Sequence, residues 1–311
     1  MLARPTPQMK NKTCIVIVGP TAVGKTALSV ELAKQLNTEI ISADSRQCYK
    51  ELNIGVAKPS LDQLKSVKHY FINSHSIEDY VNAKVFEEYA LQKVNDIFKD
   101  HDVLVMVGGT GLYLKSFYEG MDEVPAIATS IRESIINDYE SGGIEWLQEQ
   151  VQQNDPLYFS NGEIKNPQRM MRALEVKLST GRSIIEFQSN KKKERDFTII
   201  KIGLELPKEK LHQNIHQRID EMLNNGLLDE VKNLSPFKNL NALQTVGYKE
   251  LFDHLEGKVS LDNAIEQIKI NTRHYAKRQM TWFKKDEGVE WYNPSDINAI
   301  QDIINKKSTN N

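Results

Sequence analysis

Thr13-Cys14-Ile15-Val16-Ile17-Val18-Gly19-Pro20-Thr21-Ala22-Val23-Gly24-Lys25-Thr26 is the stretch on which the fold turns. Its first six residues are β-branched or apolar, the pattern of a strand covered on both faces. The next eight form a complete G-x-x-x-x-G-K-T, and residues 25–36 continue with helical periodicity. A glycine-rich turn between strand and helix lets backbone N–H groups and the helix N-terminus converge on one anion. Gly19, Pro20, Thr21, Ala22, Val23, Gly24, Lys25 and Thr26 are therefore candidate phosphate ligands. Lys25 adds charge, and Thr26 can hold a Mg²⁺ that bridges phosphate oxygens. ATP is expected to occupy such a loop weakly, because the cradle reads phosphates.

Working outward, residues 39–42, a helix over 85–98 and a strand at Val103–Val107 continue the alternation that predicts a parallel sheet with helices on both faces. Strand signals then stop until Thr198–Leu204. The helical stretch between them carries turns at Ser141-Gly142-Gly143, Asn154-Asp155-Pro156 and Ser160-Asn161-Gly162. Asn166-Pro167 and Gly181 bracket a helix over 168–180. Helices over Lys208–Asn224 and Leu261–Phe283 and a last strand at Val289–Tyr292 close the chain. The expected organisation is a P-loop α/β core, residues 1–121 and 196–311, interrupted by an all-α insertion at 122–195.

Composition narrows the class. The 311 residues are 40% hydrophobic and 26% charged, enough for two domains with cores and too apolar for disorder. Two cysteines, Cys14 and Cys48, exclude a disulfide framework or a Cys-rich zinc site. The longest apolar runs are far below the ~18 residues of a membrane span. Residues 1–13 carry two prolines and no apolar stretch, which argues against a signal peptide. Either Met1 or Met9 could be the start, and a cytoplasmic protein is expected. The net charge of −2 excludes indiscriminate nucleic-acid binding.

Several residues promise chemistry. The strand Val103–Val107 runs into Gly108-Gly109-Thr110-Gly111 with no carboxylate at its end, where a nucleotide-hydrolysing P-loop protein needs one for its metal. Asp102 precedes the strand, at the other edge of the sheet. Asp44, just past the carboxyl end of 39–42, falls in the crevice where α/β sheets bind ligands. It reads as a general base, a metal-linked acid or a helix N-cap. Arg218 lies at the edge of the stripe Leu211, Ile215, Ile219 and Met222, so it needs an anion, either a phosphate or a buried carboxylate. Residues 269–285 hold Lys269, Arg273, Lys277, Arg278, Lys284 and Lys285 without an acid, which suits either a phosphate backbone or a solvated face. Residues 191–195 read as a solvated linker, and His212 and His216 as a solvated pair.

Together these segments resemble the tRNA dimethylallyltransferases, also called tRNA isopentenyltransferases. The likeness runs through residues 19–26, Ser42-Ala43-Asp44-Ser45-Arg46-Gln47-Cys48-Tyr49, Gly55-Val56-Ala57-Lys58-Pro59 and Gly108-Gly109-Thr110-Gly111-Leu112-Tyr113. It continues through Asn166 to Glu175, Val246-Gly247-Tyr248-Lys249, and Thr272 to Trp282. Cys48 and Val56 depart slightly from the family pattern. No C-terminal zinc finger of the eukaryotic type is seen, so the resemblance is to bacterial members. It implies transfer of a dimethylallyl group from dimethylallyl diphosphate to N6 of adenosine 37, beside the tRNA anticodon, by a monomer using Mg²⁺. Asp44 would be the base, Thr110 would contact the reacting centre, and Lys25 and Arg218 would serve the departing diphosphate. Contacts to tRNA are implied for Asp44, Ser45, Arg46, Gln47, Thr110, Arg132, Gln168, Arg169, Met170, Met171, Arg172, Gly247, Tyr248, Lys249, Arg273, Lys277, Arg278 and Gln279. Rival expectations are an adenylate isopentenyltransferase, which takes a free nucleotide, and a small-molecule P-loop kinase.

Overall fold

The computed structural model describes residues 12–125, 127–189 and 191–309; the candidate starts Met1 and Met9 lie outside them. Strands β1 (Thr13–Val18), β2 (Ile40–Ser42), β3 (His69–Tyr70), β4 (Val103–Val107), β5 (Thr198–Leu204) and β6 (Val289–Tyr292) form one sheet. Its order is β3-β2-β4-β1-β5-β6, and all neighbours are parallel. Every residue of β1 is buried, as a strand covered on both faces requires. Ile17 pairs with Val107 on one side and Ile202 on the other. The carboxyl ends of β1, β4 and β5 therefore finish level, and their following loops share one edge.

The helices are α1 (Lys25–Gln35), α2 (Leu61–Ser66), α3 (Ala83–Ile97), α4 (Gly111–Glu119), α5 (Thr129–Asn154), α6 (Pro156–Asn161), α7 (Pro167–Thr180), α8 (Lys208–Asn224), α9 (Leu227–Asn233), α10 (Tyr248–Leu255), α11 (Leu261–Phe283) and α12 (Ile297–Thr309). Chain contacts divide the molecule into two compact units. One comprises the described residues up to Tyr118 with those from Glu194 onward, and the other is Glu119–Lys193.

The second unit has its own apolar core, built from Leu147, Val151, Met170, Leu174 and their neighbours. Asn166 caps α7 by accepting from the Arg169 N–H, Pro167 fills its first turn, and Gly181 ends it in the left-handed conformation. Gly143, at φ 69°, breaks α5 inside the Ser141-Gly142-Gly143 turn signal. The unit's two ends meet: the Lys193 N–H donates to the Glu119 carbonyl at 2.9 Å, and Lys192 Nζ lies 2.7 Å from the Glu119 carboxylate.

Two expectations need correction here, those for Met170 with Met171 and for Arg195. Met170 and Met171 are core residues of this unit, 0% and 5% exposed, so their side chains do not present to an RNA. Arg132 and Arg172 reach the buried Glu175, Arg172 Nη1 at 3.2 Å, with side chains that stay 38% and 42% exposed. Arg195 is no part of a solvated linker. In the first unit it donates to the Phe117 carbonyl at 2.8 Å and to Glu87 Oε1 at 3.1 Å, with its side chain 11% exposed. A buried Glu87 needs that cation, which the run Lys191-Lys192-Lys193 disguises.

Candidate active site

The P-loop leaves β1 at Gly19, whose φ is 144° and whose added Cβ would lie 2.6 Å from the Leu204 carbonyl. Glycine alone can pass β5 this closely in that conformation. Gly24 begins α1 in the left-handed region. Lys25 Nζ donates to the Gly19 and Pro20 carbonyls at 2.9 and 2.7 Å. Loss of water and then the neighbouring Arg218 pull its pKa down to about 7, against the opposing pull of Asp44. Helix α8 supplies the second cation. Its buried positions Leu211, Ile215 and Ile219 face inward, and Asn214 and Arg218 share an adjoining face. Asn214 Nδ2 donates to the Ala22 carbonyl at 3.1 Å, and Arg218 Nη1 to Thr21 Oγ1 at 3.2 Å. Burial lowers the Arg218 pKa while Asp44 and then Glu221 oppose the shift. Of the two anions Arg218 could meet, no carboxylate among the described residues bonds it directly, and its guanidinium turns to the loop.

Asp44 follows β2. Its Oδ1 accepts from the Arg46 and Gln47 N–H groups at 2.9 and 3.2 Å, so it caps a local turn. The same carboxylate acts on Lys25 and Arg218 across the site, so the cap and the acid are one residue. Thr110 Oγ1 accepts from the Ser45 N–H at 3.0 Å and lies 3.3 Å from Ser45 Oγ, pinning the Asp44 turn to the turn after β4. Those turns must touch, since a Cβ on Gly108 would sit 2.1 Å from the Ala43 carbonyl. Gln47 Nε2 donates to the Val56 and Ala57 carbonyls at 3.3 and 3.1 Å. Glu230 of α9 accepts from the Ile54 and Gly55 N–H groups and from the Tyr248 hydroxyl. Tyr248 is thus a fully buried scaffold residue, contrary to its expected RNA contact. The cavity, about 890 Å³, is lined by Thr21, Lys25, Asp44, Gly109, Arg218 and Arg278 among others.

Helix α11 forms another wall, and its charge differs from the sequence expectation. Lys269 Nζ lies 3.3 Å from Asp220 of α8, and Lys284 Nζ lies 2.8 Å from Glu205. The acid-free stripe is therefore neutralised at both ends from elsewhere in the fold. Arg273 Nη1 meets His216 Nε2 at 2.6 Å, which also corrects the reading of His216 as solvated. Lys277 and Arg278 remain exposed, the latter over the Tyr275 ring at 5.8 Å. Gln279 is 6% exposed and turned inward. Its Oε1 accepts from the Thr21 N–H at 2.8 Å and its Nε2 donates to the Gly109 carbonyl at 2.9 Å. Sequence reasoning missed the Asn214 amide and gave Gln279 only as an implied tRNA contact. Helical spacing carried the signal, because Gln279 falls three residues after Ala276 and four before Phe283, both buried.

Among the described residues no cluster of three or more His, Cys, Asp or Glu could hold a metal, and no helix is long and apolar enough to cross a membrane. A parallel sheet ending in a P-loop, with two inward cations and an opposed carboxylate, defines a P-loop α/β protein whose cavity suits an anionic ligand. The family model for IPP transferase matches residues 47–286. A tRNA dimethylallyltransferase from Cytophaga hutchinsonii is 45% identical over 297 residues, 96% of this chain and 98% of its own. One from Christiangramia forsetii is 47% identical over 278 residues, 89% of this chain and 92% of its own. The crystal structure of the tRNA isopentenylpyrophosphate transferase from Bacillus halodurans superposes with a TM-score of 0.71 at 32% identity, covering 96% of this chain and 97% of that one. A eukaryotic dimethylallyltransferase solved acting on tRNA gives 0.76 at 27% identity, covering 92% and 75%. The chain belongs to the IPP transferase family.

Proposed function

We propose that this chain is a tRNA dimethylallyltransferase that moves the dimethylallyl group of dimethylallyl diphosphate to N6 of adenosine 37, releasing diphosphate. The observation carrying this reading is that Lys25, Arg218 and Asp44 line one cavity while β4 offers no acid at its carboxyl end. In the reaction the C1–O bond of the donor breaks and an N6–C1 bond forms. The electron pair leaves with diphosphate, and the N6 proton passes to Asp44. Lys25 and Arg218 are aimed at charge that grows on the leaving group, where fixed cations act most strongly. An exocyclic amine is a weak nucleophile, so a carboxylate beside it is chemically apt.

Mg²⁺ fits this chain as an ion carried on the diphosphate. The Thr26 hydroxyl and the Asp44 carboxylate line the cavity, and no described carboxylate cage competes for the metal. When bound it would neutralise phosphate charge, with Thr26 as its protein ligand. Adenosine 37 must leave its stack to reach the cavity. Exposed Lys277, Arg278 and Lys249 of the first unit, and exposed Gln168 and Arg169 of the second, supply polar and cationic surface for the anticodon stem-loop. The enzyme acts as a monomer in the cytoplasm.

Incubation with radiolabelled dimethylallyl diphosphate, Mg²⁺ and unmodified tRNA should place label in the tRNA. Label entering free adenylate instead would favour the nucleotide prenyltransferase. Phosphate release from ATP without tRNA, abolished by Lys25→Ala, would put a kinase first.

A further inference from the structure

The reaction scheme leaves Gln279 unused, yet its amide is committed at both ends inside the site. Oε1 takes the Thr21 N–H, and Nε2 takes the Gly109 carbonyl. Two adjacent residues of the same helix, Lys277 and Arg278, are exposed. Thr21 is consequently held from two helices, its N–H by Gln279 of α11 and its hydroxyl by Arg218 of α8. On the other side, a Cβ at Gly109 would stand 2.2 Å from Gln279 Nε2 and 3.4 Å from its Cδ, with Lys25 Nζ at 3.9 Å. Gly109 has no left-handed φ that would demand glycine, so a side chain there would meet the glutamine amide and push it off its place. An amide from α11 thus bridges the P-loop and the turn after β4.

We propose that Gln279 is a positioning residue that fixes the geometry of the phosphate cradle by tying Thr21 to Gly109, so that its loss is felt in diphosphate binding before tRNA binding. The proposal rests on the transferase reading only in taking diphosphate as the ligand.

Calorimetric titration of inorganic diphosphate with Mg²⁺ into wild type, Gln279→Ala, Gly109→Ala and the double variant tests it. Each single change should weaken diphosphate by about tenfold, the net worth of one to two hydrogen bonds. The double variant should bind no more weakly than Gly109→Ala, because removing the amide also removes the clash. Gln279→Met, of similar volume, should melt like wild type while binding diphosphate like Gln279→Ala. With prenyl substrate, Gln279→Met should raise KM for dimethylallyl diphosphate more than it lowers kcat, and leave tRNA affinity within about twofold. A folded Gln279→Met with normal diphosphate affinity, or one that loses tRNA affinity instead, overturns the proposal, as do single penalties that simply add in the double variant. Wild type that binds no diphosphate overturns it together with the transferase reading, so the two failures are distinguishable.

Discussion

Lys25 is held at two carbonyls of its own loop, yet beside Arg218 and away from water. Its pKa falls from an ordinary 10.5 to about 7. Between those values the unfolded chain keeps a proton that the folded chain has released. This lysine therefore costs stability fully below about pH 7, and the cost fades as pH rises toward 10.5. A bound diphosphate favours the charged form, so binding above pH 7 should take up a proton. Titration of diphosphate at about pH 8 in two buffers of different ionisation heat should show that uptake, and Lys25→Met should diminish it. An uptake untouched by the substitution would assign the proton to another group. Asp44 invites a gentler change. The Asp44→Asn variant keeps a side-chain oxygen for the Arg46 and Gln47 N–H groups, so the turn should survive. Without a basic carboxylate, kcat should fall about 10²–10⁴-fold, the usual worth of a positioned acid–base group. Single-turnover transfer near the wild-type rate would remove Asp44 from the chemistry.

At the scale of elements, α11 shows what a sequence reveals and what it hides. Its bounds, Leu261–Phe283, are those the sequence predicts, and the structure adds Ser260 as the cap that accepts from the Asn263 N–H. Its charge is not what the sequence predicts, because Asp220 and Glu205, which pair with Lys269 and Lys284, lie 49 and 79 residues earlier in the chain and meet it only through the fold. Lys277 is exposed and appears in no ion pair among the described residues, so it should report on RNA binding most cleanly. Lys277→Ala should weaken tRNA binding and lower the log–log salt slope by about one, the signature of a lost phosphate contact. Lys269→Ala should leave the slope unchanged. Filter binding between ~0.05 and ~0.3 M salt measures both, and equal slopes for Lys277→Ala and wild type would make that face merely solvated. The strands divide in the same way. β1, β4, β5 and β6 were legible as β-branched or apolar runs, whereas β3 is two half-buried residues, His69 and Tyr70, with no periodicity to read. The P-loop and Asp44 were legible because short motifs fix their place at strand ends. The Glu230–Ile54 and Gln279–Gly109 contacts were not, since they join residues 176 and 170 positions apart.

Across the whole molecule, the proposed phosphate site draws its residues from the first unit. Thr21, Lys25, Asp44, Gly109, Arg218 and Gln279 all lie before Tyr118 or after Glu194. The second unit carries a separate core around Leu147, Val151, Met170 and Leu174. Its first and last residues, Glu119 and Lys193, are joined by a 2.9 Å backbone hydrogen bond. A segment that enters and leaves at one place can be exchanged for a short link without stretching the remainder, which is why inserted domains are tolerated at such points. The chain with residues 120–192 replaced by two or three glycines should therefore fold, because Arg195, Glu87 and the Phe117 carbonyl that anchor the rejoined strand end all remain. It should bind inorganic diphosphate within about threefold of the intact protein, since no cavity-lining residue is removed. Prenyl transfer to tRNA should be lost if the Gln168 and Arg169 surface is needed to hold the acceptor. Circular dichroism melting and calorimetric titration of diphosphate test the first two expectations, and label transfer to tRNA the third. A shortened chain that folds but no longer binds diphosphate would mean that the second unit shapes the cradle itself. One that still prenylates tRNA at the full rate would confine acceptor recognition to α11 and its neighbours.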